Sequence, residues 1–183
     1  MIKFRWTKYT LPSGREVYLT NRPDVIEDSS LDDWIRTEGP CVRFSFTDDY
    51  VQPPMEGPPW HWLPWVPGKN IPIENVFAFI CMLERYSRMI DRCYRTLTGP
   101  IWLHCDSSTM RAPTYFGLFL HAVYPDKVQE IVDTKEFSKP TMHHSCPLSY
   151  AQTSFKLDTG VKELIETWSR DGEKAAYKIY MKE

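Results

Sequence analysis

The chain has 183 residues, a formal charge of −2 and 42% hydrophobic residues, which suits one domain with a substantial core and gives no global field to gather duplex nucleic acid or an anionic membrane. Its five cysteines, Cys41, Cys81, Cys93, Cys105 and Cys146, are widely spaced, odd in number and free of any Cys-x-x-Cys pair. They read as reduced thiols of a cytoplasmic protein rather than a disulfide framework.

The first residues, Met1 to Lys8, alternate charge with apolar side chains and contain no secretory core. Glu16 to Thr20 predicts a short strand, followed by a turn at Asn21-Arg22-Pro23-Asp24. Ser29 to Ile35 predicts a short helix capped by serine, with Asp32 and Asp33 suiting its positive end. Cys41 to Phe46 alternates at period two and predicts a second strand. Val51 to Pro72 is rich in proline and holds Trp60-His61-Trp62-Leu63-Pro64-Trp65. It reads as a long ordered loop with a short strand at its centre, either a flap over a substrate or a small satellite core.

Apolar residues then recur at helical spacing from Ile73 to Leu97, with Ser87 out of pattern, until Gly99-Pro100 ends the helix. The apolar run from 76 to 83 falls far short of the ~20 residues that cross a bilayer. Ile101 to His104 predicts a buried strand, and Ala112 to Val123 a helix apolar nearly all round and so buried on every side. Helices are expected over Lys127–Glu136, Val161–Ser169 and Glu173–Lys182, punctuated by Gly160 and Gly172. Lys174, Lys178 and Lys182 should form a solvated face. His143-His144-Ser145-Cys146 has zinc-ligand types but no second cluster, so it reads as a polar loop and no metal is expected.

The run Ile101-Trp102-Leu103-His104-Cys105-Asp106-Ser107-Ser108-Thr109-Met110-Arg111 carries the chemistry. A strand delivers a thiol to a tight loop, and an arginine follows where a helix begins. Folding back, such a loop would converge its backbone N–H groups on an anion at the helix N-terminus. The same field favours thiolate over thiol, and the planar guanidinium can hold two phosphate oxygens at once.

This pattern, with Arg111-Ala112-Pro113-Thr114 behind it, resembles the cysteine-dependent protein tyrosine and dual-specificity phosphatases, whose signature is His-Cys, five residues, then Arg. The order of strand, helix and strand extends a weaker likeness over about residues 16–124 and leaves the C-terminal helices unassigned. The resemblance implies one α/β domain over 1–183, with a small, mostly parallel central sheet flanked by helices. It implies that Cys105 attacks phosphorus to give a cysteinyl phosphate, that Arg111 and the loop clamp the equatorial oxygens, and that water then completes hydrolysis without metal or cofactor. It assigns substrate contact to Asp106, Ser107, Ser108, Thr109 and Met110, to Trp65, and to His104 as a residue shaping the loop. A phosphorylated substrate, a protein in the leading reading, is the partner implied.

Three departures from that family stand out. Ser108 and Met110 replace expected glycine or small residues, as in the glycine-free loops of the rhodanese-like cell-cycle phosphatases, which the loop also resembles. Ala112 replaces the hydroxyl residue that helps expel the thiolate, unless Ser107 or Thr109 substitutes. The stretch from Trp65 to Pro72 resembles the general-acid loop but has no aspartate. Asp49 and Asp48 are the leading replacement acids, followed by His61, Glu56 and Asp106. The alternatives to a phosphatase are an impaired module that binds phosphorylated ligands and a rhodanese-like sulfur transferase.

Overall fold

In the computed structural model, which describes residues 2–51, 58–66, 68–88, 99–106, 110–138 and 157–182, the chain opens with an antiparallel pair, β1 (Trp6–Thr10) and β2 (Glu16–Thr20). A single 3-10 turn (Pro23–Val25) leads to α1 (Ser30–Glu38), then β3 (Val42–Ser45) and the short β4 (Trp60–Trp62). Next come α2 (Ile73–Arg88), β5 (Ile101–His104), α3 (Arg111–Val123), α4 (Val128–Val132) and the two-residue β6 (Glu136–Phe137). Two helices, α5 (Thr159–Asp171) and α6 (Glu173–Met181), finish the described chain.

The strands form one sheet in the order β4-β3-β5-β2-β1-β6. Four consecutive members, β4, β3, β5 and β2, run parallel, and β1 and β6 add antiparallel strands on the β2 side. The expected mostly parallel α/β domain is what the chain builds. Period-two alternation sends Val42 and Phe44 of β3 to the face covered by α2 and α3, where Phe44, Phe46, Phe79, Tyr115, Phe116 and Phe119 are all essentially sealed from solvent. The other face packs Tyr18 and Trp102 beneath Leu31 and Trp34 of α1. Near-complete burial of α3 follows from its position, with the sheet on one side and α2 and α5 on the others.

Phe79 shows how tightly this core is keyed. Its ring meets Phe44, Phe46 and Tyr115 edge-on at centroid distances of 5.2, 5.2 and 5.4 Å. Phe79→Ala should therefore cost about 3–5 kcal/mol, combining lost transfer energy with a cavity its rigid neighbours cannot fill. Chemical denaturation of the variant measures that loss.

Several local expectations need correction. Ser29 occupies the N-cap of α1 but bonds the Asp33 carboxylate instead of an orphan N–H, and Asp28 accepts from the Ser30 N–H. The predicted helix over Lys127–Glu136 is only α4, because the chain is drawn into β6 by pairing with Thr7 and Lys8 of β1. Gly160 lies within the first turn of α5, whose cap is Asp158 accepting from the Val161 N–H at 2.8 Å. Gly172 does end that helix, and Lys174, Lys178 and Lys182 are exposed as expected. Ser87 is buried in α2 and tolerated because its hydroxyl donates to the Glu84 carbonyl at 2.7 Å. The predicted end of α2, Cys93, Cys146 and the His143–Cys146 motif lie outside the described residues.

Glycine is required where the sheet's lower end closes. Gly39 ends α1 in the left-handed conformation, φ 59°. Gly99 approaches the Gly39 carbonyl so closely that any side chain would collide with backbone.

Candidate active site

Parallel strands present their carboxyl ends on one edge of a sheet, and in open α/β sheets that edge is where ligands bind. Here all four parallel strands contribute there. β2 leads to Arg22, β3 to Asp48 and Asp49, β4 to Trp65, and β5 to Cys105 and Asp106. Short bonds tie the connections together: Arg22 N–H donates to the Asp106 carbonyl at 3.0 Å, Phe46 N–H to His104 at 3.0 Å, and Leu63 N–H to Ser45 at 2.8 Å.

Cys105 leaves the central strand at the floor of this edge and is 2% exposed, its sulfur among the apolar side chains that pack beneath the sheet's end. Arg111, the first residue of α3, is also buried, and both terminal nitrogens of its guanidinium are hydrogen-bonded. Nη1 donates to Asp48 Oδ1 and to the Trp65 carbonyl, both at 3.1 Å, and Nη2 donates to Asp106 Oδ2. Thr114 steadies this turn, its hydroxyl donating to the Met110 carbonyl at 2.6 Å. Ala112 behind Arg111 is wholly buried and offers no hydroxyl. Ser107, Ser108 and Thr109, whose amides the sequence expects to complete the anion cradle, lie outside the described residues.

His104 is sealed in β5. Burial, together with the positive charges of Arg43 and Arg22, holds its imidazole neutral, well below the usual histidine range. That suits a residue that supports the strand rather than one that exchanges protons. Arg43 lies beside it on the α1 face, its guanidinium between the rings of Trp60 and Trp102 at 5.2 and 5.3 Å.

The most unexpected member is Arg22. Its guanidinium bonds Asp24 at 2.6 and 2.9 Å, Asp49 at 2.9 and 2.8 Å, and Asp106 at 3.3 Å. In sequence Asn21-Arg22-Pro23-Asp24 reads only as a turn, because parallel pairing of β2 with β5 is what brings Arg22 to Asp106. Asp48, Asp49 and Asp106 bring carboxylate oxygens within 4.8 Å of one another, a spacing that suits a cation. Among the described residues the cations bonded to them are the two arginines, so this edge carries Arg22 and Arg111 against four carboxylates, Asp24 included.

Of the candidate acids, Asp48 reaches Arg111 itself, while Asp49 is held by Arg22, whose hydrogen bond keeps that carboxyl below its ordinary range. His61 instead stacks on Phe44 at 5.2 Å, and Glu56 lies outside the described residues. Trp65 contributes its carbonyl; its indole N–H is turned away, donating to Lys69 at 2.8 Å. Met110 stands exposed at the entrance to α3, and so do Tyr50, Trp62 and Val66 on the neighbouring connections.

No protein-family model matches the sequence, and no curated protein does. Solved structures do match. TpbA of P. aeruginosa aligns with a TM-score of 0.52 at 13% identity, over 85% of this chain and 85% of that one. Tk-PTP in its active form aligns with a TM-score of 0.50 at 13% identity, over 89% of this chain and 96% of that one. Both are cysteine-based phosphatases. The chain shares its fold with these two cysteine-based phosphatases.

Proposed function

We propose that this protein hydrolyses phosphate monoesters through a cysteinyl phosphate on Cys105, acting in the cytoplasm on a protein bearing phosphotyrosine, phosphoserine or phosphothreonine. The observation that supports this reading is that β5 ends just before Cys105 and α3 begins at the buried Arg111, both at the carboxyl edge of a parallel sheet. Cys105 Sγ attacks phosphorus, the bond to the ester oxygen breaks, and that oxygen leaves with a proton from Asp48. Water then attacks the phosphoryl group, Asp48 recovers the proton, and the sulfur–phosphorus bond breaks to release inorganic phosphate. Arg111 meets the charge on the equatorial oxygens throughout, a fixed donor that needs no reorganisation at the moment of reaction.

Asp48 is assigned the acid's role because it alone of the paired aspartates bonds Arg111, so that a phosphoryl group held by that guanidinium would have Asp48 as a neighbour. Asp48→Asn should slow turnover of an alkyl phosphate or phosphoserine peptide by about 10²–10⁴, the usual worth of a positioned acid. An activated aryl phosphate, whose leaving group needs no proton, should be nearly unaffected. Asp49→Asn should change neither rate by more than a few-fold. Steady-state rates on the two substrates measure both effects.

A second reading, a module that binds phosphorylated ligands without turning them over, is favoured by one specific feature: Ala112 provides no hydroxyl to help expel the thiolate. Incubation with an aryl phosphate separates the readings. Release of one phosphate per phenol supports hydrolysis; saturable binding without release supports the module; neither would overturn both.

A further inference from the structure

Resting on the phosphoryl-transfer reading above, the contacts of Asp106 carry the account one step further. An oxyanion held by arginine needs the outward N–H groups of the guanidinium, and two parallel bonds give the grip its strength. In this structure that edge is taken. Asp106 accepts from Arg111 Nη2, while Asp48 and the Trp65 carbonyl share Nη1. The Asp106 carboxylate comes from the very loop that would wrap the phosphate, one residue after Cys105.

We propose that Asp106 is an internal competitor for the oxyanion, which it must surrender to an incoming phosphate by moving wholly to Arg22. The receiving position is already built. Arg22 Nη1 lies 3.3 Å from Asp106 Oδ1, and the Arg22 N–H fixes the Asp106 carbonyl at 3.0 Å, so the exchange is a side-chain rotation about a tethered backbone. Asp106 is also half exposed, which leaves its carboxylate free to move. Phosphate thus binds only to the fraction of molecules whose Arg111 edge is free, and its apparent affinity falls by that fraction. Arg22 relieves the block by offering the displaced carboxylate a partner, and it keeps that charge away from the phosphate.

Binding of inorganic tungstate, a tetrahedral dianion, to the full chain by isothermal titration calorimetry tests this with a two-residue cycle. Asp106→Asn, and Asp106→Ser as a second variant, should bind on the order of tenfold more tightly than the parent, the worth of a released charge-assisted bond. Arg22→Gln should bind several-fold more weakly, because Asp106 is then left with Arg111 alone. In the Asp106→Asn background, Arg22→Gln should have almost no effect. Unchanged or weaker binding by both Asp106 variants would overturn the proposal while leaving the phosphatase reading intact. An Arg22→Gln effect as large without Asp106 as with it would also overturn it, since Arg22 would then touch the anion directly. Absence of tungstate binding in the parent and in every Asp106 variant would overturn this proposal and the phosphatase reading together.

Discussion

Cys105→Ser is expected to abolish phosphate release from an aryl phosphate, by a factor on the order of 10⁴ or more, since no other step in the scheme proceeds without the nucleophile. Serine is smaller than cysteine by little, and the position is sealed, so the change leaves the buried cluster to which Cys105 belongs in place. A hydroxyl there stays protonated at neutral pH and is a far poorer nucleophile. Oxyanion binding should persist, because Arg111 and the loop remain. Measuring both quantities on one preparation separates loss of chemistry from loss of fold: turnover vanishes, and tungstate still binds.

Arg111→Lys is expected to lower kcat/KM by about 10²–10³, although the charge is kept. The native side chain is 6% exposed and spends its terminal nitrogens on three separate acceptors, Asp48, Asp106 and the Trp65 carbonyl. Its planar fork links loop, β3 connection and β4 connection into one body, and a single ammonium on a flexible stem cannot reproduce those directions. Arg111→Met should be worse in both respects. It removes the phosphate clamp and leaves Asp48 and Asp106 close to Asp49, with Arg22 the remaining cation among the described residues bonded to this cluster. Thermal melts run beside the kinetics show whether stability falls too; the account predicts a modest fall for lysine and a larger one for methionine.

Local signals carried much of the architecture. β2 matches the predicted Glu16–Thr20 strand, β5 matches Ile101–His104, and α3 differs from its prediction only by starting at Arg111. Each is encoded by a run whose periodicity or continuous apolarity is set by its own neighbours. The short strand at the centre of the proline-rich stretch is β4, where Arg43, Phe44 and Ser45 supply pairing partners. β6 was illegible because its two residues are ordered by β1, more than a hundred residues earlier, and by nothing in their own sequence. β1 itself was missed although Thr7 and Tyr9 are buried between half-exposed neighbours, an alternation present in the chain but read only as an absence of a leader.

The candidate site was legible in the same uneven way. Cys105 and Arg111 stand on one contiguous motif, and their placement at the end of β5 and the start of α3 follows from it. Asp48 and Asp49 were suggested only by their place after a strand, and the structure distinguishes them through different arginines. Arg22 could not be found from local pattern, because its role exists only once β2 lies parallel to β5 and the two carboxyl ends meet. The functional network is a property of topology, and topology is what a single sequence encodes least directly.

The central claim is that the Cys105 sulfur becomes phosphorylated during turnover. Acid quenching of the enzyme within milliseconds of mixing with a phosphorus-labelled aryl phosphate, followed by proteolysis and mass spectrometry under conditions that preserve thiophosphate esters, tests it directly. One phosphoryl group is expected on Cys105, formed as fast as the first phenol is released and absent from Cys105→Ser. Phosphate release with no label on Cys105, or with the label on another residue, would contradict it.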